Sequence, residues 1–218
     1  MKVSDLFYEA MEPALNEWIR QFASVDDLFV AIPQLYAKLR SQTHDGTVEE
    51  SAVVIGPVHV STGAVVRAHA IIRGPAIIGS GTIVSSHTEI QSGCFIGSNC
   101  VIGHGCSIVG SMVMNNTVIW PAAYIGHCLI GYGSTVGPGA VLGAKRPEPV
   151  TTAIPHASAD FGVILGDHSS VGANSILKPG TVVGPRTVIG DAVLAEGTYG
   201  TDYTITVSQT LQIRDGRC

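Results

Sequence analysis

An aliphatic residue recurs at every sixth position through the middle of the chain. The unbroken series consists of Val54, Val60, Val66, Ile72, Ile78, Val84, Ile90, Ile96, Ile102, Ile108 and Met114. After a stretch of altered spacing it resumes as Ile130, Val136 and Leu142, and then as Leu165, Val171, Leu177, Val183 and Ile189. A period of six fits neither an α-helix nor an alternating strand. It predicts a solenoid of short parallel strands, three to a coil and about seven coils in all, with one side chain of each hexad pointing to the axis.

Two segments outside the hexads have different patterns. Residues 4–21 place apolar side chains on one helical stripe, and a second helical pattern over 25–40 follows a capping-box sequence that begins at Ser24. We therefore expect an N-terminal helical cap over residues 1–50, a solenoid over 51–197 and a C-terminal tail over 198–218. Residues 145–160 interrupt the hexads with three prolines. They predict an excursion loop, and long loops inside compact domains are usually functional.

Composition and charge exclude several classes of protein. Charged residues make up 13% of the chain and glycine contributes 26 of 218 residues, which favours an all-β body over a helical bundle. A net charge of −5 argues against a nucleic-acid binder. The apolar stretches are far shorter than the roughly 20 residues that cross a bilayer, and the first residues do not resemble a signal peptide. We expect a cytoplasmic protein without nucleic-acid or membrane partners, whose five cysteines stay reduced.

Seven segments, in this order, carry a resemblance to a known family. They are 72–79 (IRGPAIIG), 111–116 (SMVMNN), 124–126 (YIG), 136–140 (VGPGA), 165–168 (LGDH), 171–175 (VGANS) and 178–180 (KPG). From about residue 52 to residue 195 the chain resembles the hexapeptide-repeat acyltransferases. The similar members are the acetyltransferase domain of UDP-N-acetylglucosamine pyrophosphorylase/glucosamine-1-phosphate acetyltransferase and related C-terminal domains of sugar nucleotidyltransferases. The resemblance implies a left-handed parallel β-helix, a homotrimer, and acetyl-CoA or another acyl-CoA as co-substrate.

The resemblance also implies where the acyl-CoA would bind. Family trimers hold it in a groove between neighbouring prisms, along glycine and alanine backbone. The matching residues here are Gly139, Ala140, Gly172 and Ala173, while Lys145 and Arg146 open the excursion loop and are expected to meet the CoA phosphates. The alternative is that the four small residues are ordinary corner residues and that the basic pair is merely solvated.

The histidine that the family uses as a general base is missing. Pro121-Ala122-Ala123 stands before Tyr124 where the family has histidine-phenylalanine-asparagine, and a proline cannot accept the proton of an attacking amine. Two histidines are candidates for a displaced base beside Tyr124. His127 follows the tyrosine by three residues, and His104 lies eighteen residues before Ala122, which predicts a place one coil beneath it. The remaining early histidines, His44, His59, His69 and His87, are expected to be structural or exposed.

Two functions of different classes remain open. One is a stand-alone acyltransferase acting on an amino or hydroxy group of a sugar or sugar-nucleotide-like acceptor. The other is a catalytically degenerate trimeric scaffold or ligand-binding relative. We do not expect nucleotidyltransferase activity, because no glycine-rich phosphate loop opens the chain. A zinc site like that of the γ-class carbonic anhydrases needs a second histidine five residues after His104, where the chain has Val109, so no metal is expected.

Overall fold

The computed structural model of the protein describes residues 42–91, 93–143 and 161–207. The expected helical pair before residue 41 and the loop of residues 145–160 lie outside these ranges, as do Lys145 and Arg146. All regular secondary structure in the described ranges is β-strand. Those ranges contain no helix that is long and apolar enough to cross a membrane.

Twenty-six short strands, numbered in chain order, wind into three parallel sheets. The first sheet contains β1 (Thr43–His44), β4 (Val58–Val60), β7 (Ala76–Ile78), β10 (Cys94–Ile96), β13 (Met112–Val113), β16 (Leu129–Ile130), β19 (Val163–Leu165), β22 (Thr181–Val183) and β25 (Thr198–Tyr199). The second contains β2 (Thr47–Val48), β5 (Val65–Val66), β8 (Ile83–Val84), β11 (Val101–Ile102), β14 (Val118–Ile119), β17 (Thr135–Val136), β20 (Ser170–Val171), β23 (Val188–Ile189) and β26 (Thr204–Ile205). The third contains β3 (Val53–Ile55), β6 (Ile71–Arg73), β9 (Glu89–Gln91), β12 (Ser107–Val109), β15 (Tyr124–Gly126), β18 (Val141–Leu142), β21 (Ile176–Leu177) and β24 (Leu194–Ala195).

Each strand pairs with the strand three places later in the chain, so three strands make one coil. The prediction of an all-β parallel solenoid is thereby confirmed. Sheets of nine, nine and eight strands give about eight coils, one more than the hexads indicated. The extra strands lie at the ends, because the ladders begin at Thr43 and continue to Ile205, on both sides of the expected range 51–197.

The hexad aliphatic residues form the core. Ile96, Ile102 and Ile108 lie one on each sheet and are fully buried, as the period predicts. Each is in register with the residue eighteen positions earlier, for example Ile102 with Val84. Their outward neighbours are more exposed, and Val101 retains 41% of its surface. The inward position of every hexad therefore carries the apolar burial that stabilises the solenoid.

Two coils are one residue shorter than the pattern predicts. Ile96 is in register with Val113, so the prediction that Met114 points to the axis is wrong. Met114 is buried but lies outside the core cluster. The corner at Gly110, with φ of 54°, turns the chain with one residue fewer. The same shortening recurs at His127, whose φ is also 54°. Both short corners carry a positive φ, a conformation that lets the chain reverse within few residues.

A second inward position at each corner is occupied by small residues. Hydroxyl groups there donate to a glycine carbonyl of the next coil at 2.6–3.0 Å; the donors are Thr82, Thr88, Thr117, Ser134, Ser169, Ser175 and Thr187. Cysteines take the same place, and the Sγ atom of Cys100 lies 3.0 Å from the carbonyl oxygen of Met114. The four described cysteines are buried and unpaired.

Candidate functional site

The candidate site residues lie at two corners of the solenoid. We call the turns that lead from the second sheet to the third corner 2–3; they include residues 67–70, 85–88, 103–106, 120–123, 137–140 and 172–175. The turns that lead from the third sheet to the first form corner 3–1, which includes residues 110–111, 127–128 and 161–162. The two corners flank the third sheet, because one precedes its strands and the other follows them.

Corner 2–3 holds the four small residues that match the acyl-CoA track. Gly139 and Ala140 lie on one coil, and Gly172 and Ala173 lie on the next. A Cβ atom added to Gly139 would lie 2.4 Å from Oδ1 of Asn174, and φ of Gly139 is +66°. Ala140 is fully buried and its carbonyl accepts a hydrogen bond from the Tyr124 N–H at 2.9 Å. The structure thus brings the four residues together, although Ala140 faces the core rather than a ligand.

His104 lies on corner 2–3 as well, but not beneath Ala122 as the eighteen-residue period predicted. Gly105 and Ala122 both have positive φ, at 66° and 60°, and are the equivalent corner residues of successive coils. The coil between them has seventeen residues, so His104 is equivalent to Pro121. The Ala122 N–H donates to the His104 carbonyl at 2.9 Å. The imidazole is exposed, next to the place where the family carries its base.

Corner 3–1 brings together Tyr124, His127 and the end of the excursion loop. Tyr124 begins β15 and is half-buried, with its ring over Gly126: a Cβ atom added there would lie 2.9 Å from the phenolic oxygen. The exposed His127 follows directly, and its N–H donates to the Val109 carbonyl at 2.8 Å. Its own carbonyl accepts from the Gly162 N–H at 2.6 Å. Backbone contacts on two sides therefore fix the position from which the imidazole projects.

Within one chain the third sheet separates the two groups. His127 lies after strand β15 and the track residues Gly139 and Ala140 lie before strand β18, which pairs with β15. A reaction that uses both the imidazole and the track therefore requires corner 3–1 of one copy to face corner 2–3 of another. The family's position for the base holds the exposed Pro121, and Ala123, two residues later, points inward with 1% of its surface exposed.

The possible metal ligands of the described ranges are dispersed. There, no three or more histidine, cysteine, aspartate or glutamate side chains are grouped so that they could hold a metal ion. Burial raises the pKa of the Cys94 and Cys100 thiols to about 11 and that of Cys128 to about 12, so these sulfurs stay protonated and are poor nucleophiles at neutral pH.

Two features of corner 2–3 were missed by sequence reasoning. His69 and His87, expected to be structural or exposed, are exposed, and the rings of His69, His87 and His104 on consecutive coils contact one another as a ladder. Their spacings of eighteen and seventeen residues were a visible signal. Trp120 occupies a hexad position that elsewhere often holds glycine, and 51% of its surface is exposed. In the sequence Ile102 is followed by a glycine, whereas Ile119 is followed by this tryptophan. That difference was the visible signal of an exposed indole at this corner.

Comparisons with known proteins agree with the resemblance seen in the sequence. A family profile described as the GMPPB C-terminal domain matches residues 72–146. The bifunctional protein GlmU of Methanococcus vannielii is 33% identical over 95 residues, which are 41% of this chain and 23% of that protein. The match thus spans less than a quarter of that relative's length.

Some solved structures also resemble this chain. LpxA of Bacteroides fragilis, a UDP-N-acetylglucosamine acyltransferase, matches 74% of this chain and 69% of its own with a TM-score of 0.50 and 16% identity. AntD of Bacillus cereus, an N-acyltransferase in complex with dTDP and coenzyme A, matches 78% of this chain and 81% of its own with a TM-score of 0.35 and 16% identity. The chain thus resembles the hexapeptide-repeat acyltransferases, in sequence over its middle third and in its β-solenoid fold.

Proposed function

We propose that the protein is an acyltransferase that moves an acetyl or other acyl group from coenzyme A to an amino or hydroxy group of a sugar-nucleotide-like acceptor. The proposal includes left-handed winding of the solenoid, a homotrimer and a cytoplasmic location. Support comes from the resemblance to the hexapeptide-repeat acyltransferases, since a GlmU and an LpxA are among the similar proteins. Neither match by itself assigns a substrate.

The observation that carries the proposal is the division of the candidate residues between two corners of one chain. Corner 2–3 carries Gly139 and Gly172 on adjacent coils, where the Oδ1 atoms of Asn174 and Asp191 occupy the space of an added Cβ atom, and the acyl-CoA is proposed to lie along this surface. Corner 3–1 presents an imidazole beside a tyrosine, at the point where the excursion loop rejoins the solenoid. A trimer of parallel prisms places such corners opposite one another and forms three identical clefts.

In the proposed reaction His127 is the general base. Its neutral imidazole accepts a proton as the acceptor's nitrogen or oxygen attacks the thioester carbonyl carbon. The tetrahedral intermediate then collapses, the carbon–sulfur bond breaks, and the imidazolium returns the proton to the leaving thiolate. Tyr124 shapes the same corner with its ring over Gly126. His104 is the second candidate for the base, because it lies beside Pro121 on the corner that would face the partner's His127.

One observation favours the non-catalytic alternative. Pro121, Ala122 and Ala123 supply no proton acceptor at the family's position, and the Ala123 side chain points into the core. A scaffold or ligand-binding relative would keep the solenoid and the trimer without turning over a substrate. A ligand-binding relative could also bind coenzyme A, so binding and acyl-transfer activity are measured side by side.

Calorimetric titration with coenzyme A and acetyl-CoA tests the donor part of the proposal. We expect binding at sub-millimolar concentration, weakened at least fivefold by Lys145→Ala with Arg146→Ala, because both cations would meet CoA phosphates. Arg73→Ala is the matched control. This exposed arginine lies at the end of β6, four coils before β18, and its loss should leave the affinity unchanged. Absence of heat at millimolar coenzyme A would contradict the acyltransferase and leave the scaffold.

A further inference from the structure

Three imidazoles form a ladder along the outside of corner 2–3. His69, His87 and His104 lie on consecutive coils, and both pairs of neighbouring rings have centroids 5.1 Å apart. The planes are inclined at 43° for the first pair and 61° for the second. All three residues are exposed. His69 and His87 occupy equivalent positions on successive coils, which are about 4.8 Å apart, whereas His104 lies one residue before the position equivalent to His87.

An exposed indole lies on the next coil of the same corner. Trp120 lies on the coil above His104, at the start of the same corner turn, and 51% of its surface is exposed. Glycines occupy the equivalent position on the coils to either side, at Gly103 below and Gly137 above. The indole therefore has no large side chain stacked against it from those two positions. A planar aromatic ligand can reach it from the solvent.

Charged groups near the ladder are few. On the described corner 2–3, from residue 85 to residue 175, the exposed ionisable side chains are His87 and His104. Below them Arg67 is paired with Glu49 at 3.0 Å, and Glu50 lies beside that pair. Glu89, which begins the third-sheet strand β9, is paired with Arg73 at 3.5 Å.

At the other end of the corner Asp191 accepts a hydrogen bond from the Ala173 N–H at 2.7 Å. The groups that can offer positive charge to a ligand in the middle of this corner are therefore imidazoles, and they do so only when protonated.

We propose that corner 2–3 is a nucleotide subsite, in which the heterocyclic base stacks on Trp120 and the phosphates lie against His87 and His104. Aromatic side chains stack on bases of any sequence, and protonated imidazoles make charge-assisted hydrogen bonds to phosphate. This inference rests on the proposed function, whose two substrates both carry a nucleotide with two phosphates. In coenzyme A it is the adenosine 3′,5′-diphosphate part, and in a sugar-nucleotide acceptor it is the nucleoside diphosphate. The subsite leaves His127 as the base.

Binding at this subsite is linked to protons. A protonated imidazole donates a charge-assisted hydrogen bond to a phosphate oxygen, which a neutral imidazole cannot do. The affinity for a nucleoside diphosphate should therefore rise as the pH falls from 8 to 6. Loss of His87 should weaken this dependence, because it removes one of the two imidazoles that are proposed to contact the phosphates.

Tryptophan fluorescence of the full chain tests the subsite. The sequence has two tryptophans, and Trp18→Phe leaves Trp120 as the single reporter. The probes are adenosine 3′,5′-diphosphate and uridine diphosphate, titrated separately at pH 6 and pH 8. We expect one of the two probes to quench Trp120 fluorescence, with an affinity at least tenfold higher at pH 6 than at pH 8. Quenching by adenosine 3′,5′-diphosphate would identify the acyl donor as the ligand, and quenching by uridine diphosphate would identify the acceptor.

The variant and its control have the same backbone conformation. His87 and His168 both have positive φ, at 60° and 57°, a region that asparagine tolerates well. His87→Asn should at least halve the pH dependence of binding, and His168→Asn, on a different corner, should leave it unchanged. Equal affinity at both pH values, an unaffected His87→Asn variant, or no quenching by either probe would overturn the subsite.

Acyl transfer by the wild-type protein is measured on the same preparation, so the two proposals can fail separately. Transfer without pH-dependent quenching would overturn the subsite and leave the acyltransferase. Quenching that meets the expectation, without transfer to any acceptor, would support nucleotide binding and contradict the acyltransferase.

Discussion

Truncation of one axial isoleucine measures how much the inward hexad position contributes to stability. Ile102 is fully buried and lies between Val84 and Ile119 in the ladder of the second sheet. Ile102→Ala removes three carbon atoms, worth about 0.8 kcal/mol each in transfer free energy, and leaves a cavity that the flanking coils cannot fill. Together these effects predict a loss of about 2–5 kcal/mol in the free energy of unfolding.

The neighbouring residue on the same strand supplies the matched control. Val101 points outward with 41% of its surface exposed, so Val101→Ala should cost less than about 1 kcal/mol. Urea unfolding followed by far-ultraviolet circular dichroism compares both variants with the wild type. Equal losses for the two variants would refute the assignment of Ile102 to the axis and of Val101 to the outer face.

Two further predictions follow from the thiols and from the outer faces. Burial raises the pKa of Cys128 from 9.0 to about 12, so the unfolded chain loses this proton first and stability should fall as the pH rises above 9. The residue 128 N–H donates to the Ser111 Oγ at 2.9 Å, and Cys128→Ser keeps this contact while replacing the thiol by a hydroxyl. The variant should therefore lose less stability than the wild type above pH 9. Identical urea midpoints of the two proteins at every pH would contradict this prediction. For assembly, light scattering at micromolar concentration should give three times the chain mass of 22.7 kDa, and the mass of a single chain would contradict the proposed trimer.

The periodic part of the sequence predicted the sheets and most of the core. Ile96, Ile102 and Ile108 are buried on three successive sheets because a six-residue period returns the chain to an inward position at every strand. The shortened coils were not predicted. Val113 and Met114 are both apolar, so composition could not show which of them continues the axis, and the corner geometry at Gly110 decides it.

The site was predictable only in part. Gly139 and Gly172 were found through the family resemblance, and the structure places them on adjacent coils. His127 lies on a different corner from these two glycines. The spacing of residues along the chain does not show to which corner each turn belongs, so this separation was not predicted. The register of His104 was wrong by one residue because the seventeen-residue coil precedes Ala122.

Release of free thiol from acetyl-CoA in the presence of amino-sugar nucleotides tests the central proposal most directly. Transfer by the wild-type protein should depend on both substrates, and His127→Asn should lower the rate by a factor of about 10²–10⁴ while coenzyme A binding is retained. Asparagine suits the φ of 54° at this corner, so the variant removes the base without forcing the turn to change. Absence of acceptor-dependent thiol release by the wild type, or full activity of His127→Asn, would contradict the proposed reaction.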